Sequence, residues 1–293
     1  MGKSAPLGKR ASVAQIRPPA VAGQFYPLKP QELRQMIKSF AGPRMSTVIK
    51  REAIACLLPH AGYIYSGSVA YSVVSQLKIK KNLIILGPNH TGMGENFSIM
   101  TEGSWATPLG EVGINPALAD KLLSKSTLLK SDSQAHKFEH SIEVELPFFQ
   151  YFAAPRAGAG IETTFVPIAI GSSDFKNYQQ LGLDIAAGLK EAGLEKETLI
   201  VASSDMTHYE DEKSARHKDY QAIDAIRELD ERELYSKIKE LNISMCGYAP
   251  AIVMLCAAKS LGAKKAELIK YQTSGEATGD TSSVVGYAGM IVS

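Results

Sequence analysis

The sequence predicts an α/β chain of three layers, α/β/α, with helices on both faces of a mixed central sheet. Continuous apolar runs of strand length recur in "AIACLLP", "NLIILGP", "TTFVPIAIG" and "TLIVASSD". Segments with room for helices separate them. The runs are apolar throughout rather than alternating, as expected of strands covered on both faces.

In chain order, the opening residues are rich in proline and glycine up to "RPPAVAGQFYP", where prolines and an aromatic pair predict an extended segment packed on the body. After Pro30, "QELRQMIKSF" sets Leu33, Met36, Ile37 and Phe40 at helical spacing, as in a surface helix. "AIACLLP" and "NLIILGP" flank "SVAYSVVSQL", which has room for a crossover helix and completes a βαβ unit. Then "HSIEVELPFFQYF" predicts a helix, "TTFVPIAIG" a strand, "YQQLGLDIAAGLKEAG" a helix and "TLIVASSD" a buried strand. A polar helix near 214–230 precedes "APAIVMLCAAKSLGA", a nearly all-apolar and therefore central helix with Pro250 at its first position. Strands in "AELIKYQTSG" and "SVVGYAGMIVS" close the chain, the second expected at a sheet edge behind a mobile loop. Neither a linker nor a repeat divides the sequence, so one domain over 1–293 is expected, with 1–16 a poorly ordered extension.

Composition narrows the function classes. The 32 basic and 30 acidic residues are scattered, so no electrostatic argument favours nucleic acid. No apolar run approaches the ~20 residues that span a bilayer, and "MGKSAPLGKR" lacks the apolar core of a signal peptide. A cytoplasmic protein without a membrane partner is expected. The cysteines Cys56, Cys246 and Cys256 form no C-x-x-C pair, which fits a reducing compartment. No G-x-S-x-G elbow, Walker loop or G-x-G-x-x-G is present.

Chemistry in open α/β sheets collects beyond the carboxyl ends of strands. His60 in "LLPHAGYIYSG", His90 in "LIILGPNH", and Asp205 with His208 in "LIVASSDMTH" all occupy such positions. If those strands are neighbours, three imidazoles and a carboxylate converge as a transition metal would require. The alternative is three separate hydrogen-bonded loop histidines. Cys246 in "SMCGYAP" precedes the apolar helix, where the dipole would stabilise a thiolate as ligand or nucleophile; otherwise it fills space. Cys56 and Cys256 lie inside a strand and a helix and are expected to be packing residues. A rival constellation is "HKFEH", in which His136 and His140 would bind zinc one helical turn apart and Glu139 would serve as base, as in a zinc peptidase. It lacks an identified third ligand and leaves the strand ends without a role.

Together "RPPAVAGQFYP", "PHAGYIYSG", "LGPNH", "TPLG", "EHSIEVELPF", "SSDMTHY" and "CGYAP", in this order from about residue 17 onward, resemble the Memo family. The resemblance implies a fold like that of class III extradiol ring-cleaving dioxygenases, with a metal at one end of the sheet. It places the metal ligands at His60, His90 and Cys246, with Asp205, His208 and His140 around them as catalytic groups. In the resulting reading His208 relays protons, Asp205 orients it and His140 meets the substrate. A thiolate where the dioxygenases use a carboxylate argues against ring cleavage and for a softer ion, iron or copper before zinc. The resemblance further implies redox chemistry on a small-molecule substrate and radical-SAM companions, or else a metal-binding scaffold role without catalysis.

Overall fold

The computed structural model describes residues 15–41, 49–153 and 162–293. Of the expected extension over 1–16, all but Gln15 and Ile16 lies outside the described residues.

The N-terminal part runs through β1 (Ile16–Arg17), α1 (Pro30–Ser39), β2 (Ala55–Leu58), α2 (Tyr63–Val74) and β3 (Asn82–Pro88). Next come β4 (Phe97–Ile99), β5 (Ser104–Thr107), β6 (Gly110–Gly113), α3 (Pro116–Lys125), β7 (Lys130–Ser131) and α4 (Leu146–Ala153). Then follow β8 (Thr164–Ile170), α5 (Phe175–Ala192), β9 (Thr198–Ser203), β10 (His208–Glu210), α6 (Glu212–Arg227) and α7 (Glu231–Glu240). The last elements are α8 (Tyr248–Ser260), β11 (Ala266–Thr273), α9 (Gly275–Thr278) and β12 (Val284–Val292).

Nine strands form the main sheet, with β10-β12-β2-β9-β3-β8-β4-β7 as its path and β11 also paired to β12. The central four, β2, β9, β3 and β8, are parallel; β12 and β4 flank them antiparallel, so the sheet is mixed as expected. Side-chain alternation along the strands builds two cores. Ala55, Leu57, Ile84, Leu86, Ile200 and Ala202 pack with residues of α3, α5, α6, α7 and α8. Cys56, Leu58, Leu83, Ile85, Leu199 and Val201 pack with residues of α1, α2, α4 and the small β1-β5-β6 sheet. These are the three layers.

Several local expectations need correction. The polar helix expected near 214–230 is α6, which ends at Arg227; a further helix that was not expected, α7, follows it, capped by Asp230, which accepts from the amides of Arg232 and Glu233. The helix expected to start at Pro250 starts at Tyr248, with Gly247 as its cap. Proline is tolerated there because first-turn amides have no intrahelical acceptor. "HSIEVELPFFQYF" is helical only from Leu146, after a 3-10 turn over Glu143–Glu145; Pro147 marks the first turn of α4. β12 is interior rather than at an edge, since β11 lies along it while β10 and β2 pair with its two ends. The loop before it carries α9. Among the described residues no helix is long and apolar enough to cross a membrane.

Sheet pairing sets the level of the three strand ends. Leu58 of β2 pairs with Ser203 of β9, and Ala202 of β9 pairs with Leu86 of β3. Each chain leaves the sheet on the same edge within a few residues, delivering His60, Asp205 and His90 side by side.

The segment 17–26 is tied to the body by one carboxylate. Buried Glu143 accepts from the Arg17 guanidinium, the Ala20 amide at 2.7 Å, the Val21 amide at 3.0 Å and the Tyr26 hydroxyl at 2.6 Å. Arg17 also donates to the carbonyls of His136 and Glu139 and lies 4.0 Å over the Trp105 ring. The prolines of "RPPAV" leave few amides to satisfy, and Glu143 takes those that follow them.

Candidate metal centre

His60, His90 and Cys246 present one donor atom each within 4.8 Å of one another. His60 is buried; its Nε2 lies 3.4 Å from Cys246 Sγ, and its Nδ1 lies 2.8 Å from Ser203 Oγ. The His90 ring meets that of His60 edge-on at 5.2 Å. His140 stacks on His90 at 4.7 Å and 14° and meets His60 at 5.6 Å, while Phe25 covers it edge-on at 5.2 Å. His140 is thus a neighbour of the cluster but not part of the ligand group.

Two glycines permit these approaches. A Cβ on Gly247 would collide with the Ser203 carbonyl and the Ser204 side chain, so only glycine lets the Cys246 turn press against the end of β9. The Gly247 amide donates to Ser204 Oγ at 2.9 Å in that contact. A Cβ on Gly87 would strike Ser141 and Ile142, and glycine there lets the turn bearing His140 lie against the end of β3.

Electrostatics follow from burial. The His60 imidazole is pushed well below its ordinary pKa by desolvation, then by His90, His140 and His208. His90 is exposed by surface area, yet desolvation among the neighbouring imidazoles lowers it to about 4. Both are neutral at physiological pH, with lone pairs available to a metal. Cys246 departs from expectation: burial, and then Asp205, raise its thiol well above the ordinary value and outweigh the amide hydrogen bonds that favour a thiolate. A metal would have to displace its proton.

Asp205 and His208 are both at the site, but not as the expected pair. Asp205 Oδ1 accepts from the amides of His60 at 2.8 Å and Ala61 at 3.2 Å, and burial raises its carboxyl to about 7. His208 is oriented by Ser244 instead: its amide donates to Ser244 Oγ at 2.7 Å, and its Nδ1 lies 2.9 Å from the Ser244 carbonyl. A carbonyl only accepts, so Nδ1 carries a proton, and in the neutral ring Nε2 is then the acceptor.

A cavity of about 720 Å³ opens in front of the cluster, lined by His60, His90, His140, Asp205 and His208 together with Gln24, Phe25, Tyr65, Tyr209, Tyr287 and hydroxyl residues around α9. Sequence reasoning missed its aromatic wall. Tyr65 and Tyr209 stand five residues and one residue beyond the singled-out His60 and His208, which is a usable signal. Tyr287 lies inside β12 and gives none. At Tyr209, φ of 60° coincides with an irregular register between β10 and β12 that re-aims the chain.

The "HKFEH" constellation does not form. Residues 134–138 make turns rather than a helix. His136 is fully buried with its ring against Trp105 at 5.8 Å, whereas His140 stacks on His90. Glu139 receives Ser141 Oγ and the Ile142 amide. The zinc-peptidase geometry is therefore absent.

A sequence model of the family described as Memo-like protein matches residues 17–291. A MEMO1 family protein of Methanopyrus kandleri is 41% identical over 287 residues, covering 94% of this chain and 98% of the relative. One from Methanocaldococcus jannaschii is 42% identical over 290 residues, covering 95% and 99%. One from Aquifex aeolicus is 42% identical over 277 residues, covering 94% and 99%.

Proposed function

This chain belongs to the Memo-like family, and on that premise we propose that His60, His90 and Cys246 hold one transition-metal ion used for redox chemistry on a small molecule admitted to the adjoining cavity. The observation that carries the reading is the convergence of two imidazoles and a thiol, from three separate parts of the chain, beside a cavity that His60 and His90 line. The donor set fits a soft or borderline ion: copper(I), zinc or iron. When bound, such an ion would supply Lewis acidity and, if copper or iron, an electron-transfer centre.

The chain's own groups supply the rest. Cys246 gives up its proton on binding, so uptake is coupled to proton release. His208 Nε2, with Nδ1 held by Ser244, accepts or returns a proton within the cavity. Asp205 fixes the His60 turn through Oδ1. His140, sandwiched between His90 and Phe25, forms the wall against which a planar group would lie. Copper, iron and zinc differ in what they allow, and ligand identity alone admits all three.

Elemental analysis of protein purified without oxygen tests the reading. Wild type and His136→Ala are expected to carry about one metal ion per chain, and His60→Ala essentially none. The opposite ranking would contradict it. Partner binding that survives removal of both the metal and His208, with no oxygen or thiol chemistry in the wild type, would favour a scaffold role instead.

A further inference from the structure

Behind His60, away from the cavity, lies a buried polar chain to which no role has yet been given. Ser203 Oγ lies 2.8 Å from His60 Nδ1, 2.8 Å from the Ser141 carbonyl and 3.1 Å from Glu145 Oε1. Ser203 and Glu145 are both fully buried, and Glu145 Oε2 has no hydrogen-bond partner among the described residues. We propose that Ser203 and Glu145 are positioning residues for the metal centre: Glu145 is kept as a neutral carboxylic acid whose O–H donates to Ser203 Oγ, and Ser203 in turn holds the His60 proton on Nδ1.

Donor counting carries the argument. A serine hydroxyl has one proton and accepts up to two hydrogen bonds. The Ser141 carbonyl can only accept, so it takes the Ser203 proton. His60 Nδ1 and Glu145 Oε1 are then both left to donate, which requires Nδ1–H on the imidazole and O–H on the carboxyl. With that assignment every contact around Ser203 is a proper donor–acceptor pair. An ionised Glu145 would share one serine proton with a carbonyl and leave Oε2 charged, buried and unpartnered, at a cost of several kcal/mol. As a carboxylic acid, Oε2 is merely an unfilled carbonyl oxygen.

Its surroundings agree. Among the described residues, Asp205, Glu139, Cys56 and Tyr63 bear on Glu145 electrostatically, and none of these four is a cation. Burial raises its carboxyl well above the ordinary range, which supports the neutral form. The consequence falls on Nε2 of His60, whose lone pair is thereby directed to the Cys246 side, 3.4 Å from Sγ. Outer groups commonly fix the tautomer of a metal-binding histidine in this way.

The effect on metal affinity rests on the proposed metal centre; the protonation pattern does not, and it is measured first on metal-free protein. Long-range nitrogen–proton spectra of the imidazoles should show His60 as the Nδ1–H tautomer. The infrared spectrum should carry a buried carboxylic-acid carbonyl band that Glu145→Gln removes. In the metal-loaded protein Ser203→Ala is expected to weaken binding about 10–100-fold, as loss of an outer partner does. Glu145→Gln, whose amide N–H donates in place of the O–H and changes no charge, should stay within about threefold of wild type. A merely structural role would lower stability without moving the tautomer. An Nε2–H tautomer, or a missing carboxylic-acid band together with a Glu145→Gln affinity as poor as that of Ser203→Ala, would overturn the proposal. Should Ser203→Ala fail to fold, the wild-type spectra and Glu145→Gln still decide it. A wild type that binds no metal would sink the metal centre while leaving the tautomer and the band to be judged separately.

Discussion

Cys246→Ser is expected to lower copper(I) affinity by more than about a hundredfold, beyond what loss of an outer partner costs, while Cys56→Ser and Cys256→Ser leave it nearly unchanged. The three thiols differ in placement. Cys246 Sγ lies 3.4 Å from His60 Nε2 and belongs to the convergent donor group. Cys56 is buried in β2, and Cys256 sits on α8 where it packs toward Gly182 of α5. Serine keeps the size of the side chain but is a hard, weakly acidic oxygen donor, so the change removes the soft ligand with little disturbance of packing. Competitive titration under reducing, oxygen-free conditions reads the difference. Equal copper(I) affinity in Cys246→Ser and the parent would remove the thiol from the ligand set. In Cys246→Asp, a set of two histidines and one carboxylate, preference is expected to move toward iron(II) if the carboxylate can be accommodated in the Gly247 turn.

Removal of the Glu143 carboxylate carries the largest expected effect on stability, about 3–5 kcal/mol for Glu143→Ala. Arg17 and Glu143 are 5% and 0% exposed, so deleting the acid leaves a guanidinium charge buried without its counter-ion. The Tyr26 hydroxyl and the amides of Ala20 and Val21 lose their acceptor at the same time. A lower urea midpoint with an unchanged slope checks this. The damage should also reach the site, because Phe25 lies beside Tyr26 in sequence and covers His140. A loss of less than about 1 kcal/mol, the range of an exposed ion pair, would show that the 17–26 segment is held by other means.

The architecture was readable where packing speaks through composition. "AIACLLP", "NLIILGP", "TTFVPIAIG" and "TLIVASSD" are apolar because both faces of the parallel strands are covered, and they became β2, β3, β8 and β9. The strands from Phe97 to Ser131 and helix α3 went unassigned. β4 and β7 are two or three residues long, and β5 and β6, which with β1 form the small sheet, are four-residue strands of mixed exposure, too short for a periodic signal.

At the site, His60, His90, Cys246, Asp205, His208 and His140 were all singled out from the sequence and are brought together. The partnerships among them were not legible. His208 is held by Ser244, which is 36 residues away in sequence, and Ser203 links His60 to Glu145 from the last position of the buried strand β9. Such contacts depend on register between distant elements. The state of the Cys246 thiol was misjudged for a related reason: proximity to a helix terminus is visible in sequence, whereas the depth of burial that opposes it is not.

X-ray absorption at the edge of the bound metal tests the central claim most directly, because it reports the donor atoms rather than their consequences. With zinc as the probe ion, the metal-loaded wild type should show one sulfur at about 2.3 Å and nitrogen donors at about 2.0–2.1 Å. The sulfur shell should vanish in Cys246→Ser while persisting in Cys56→Ser and Cys256→Ser. A wild-type shell made only of nitrogen and oxygen would contradict the His60–His90–Cys246 centre.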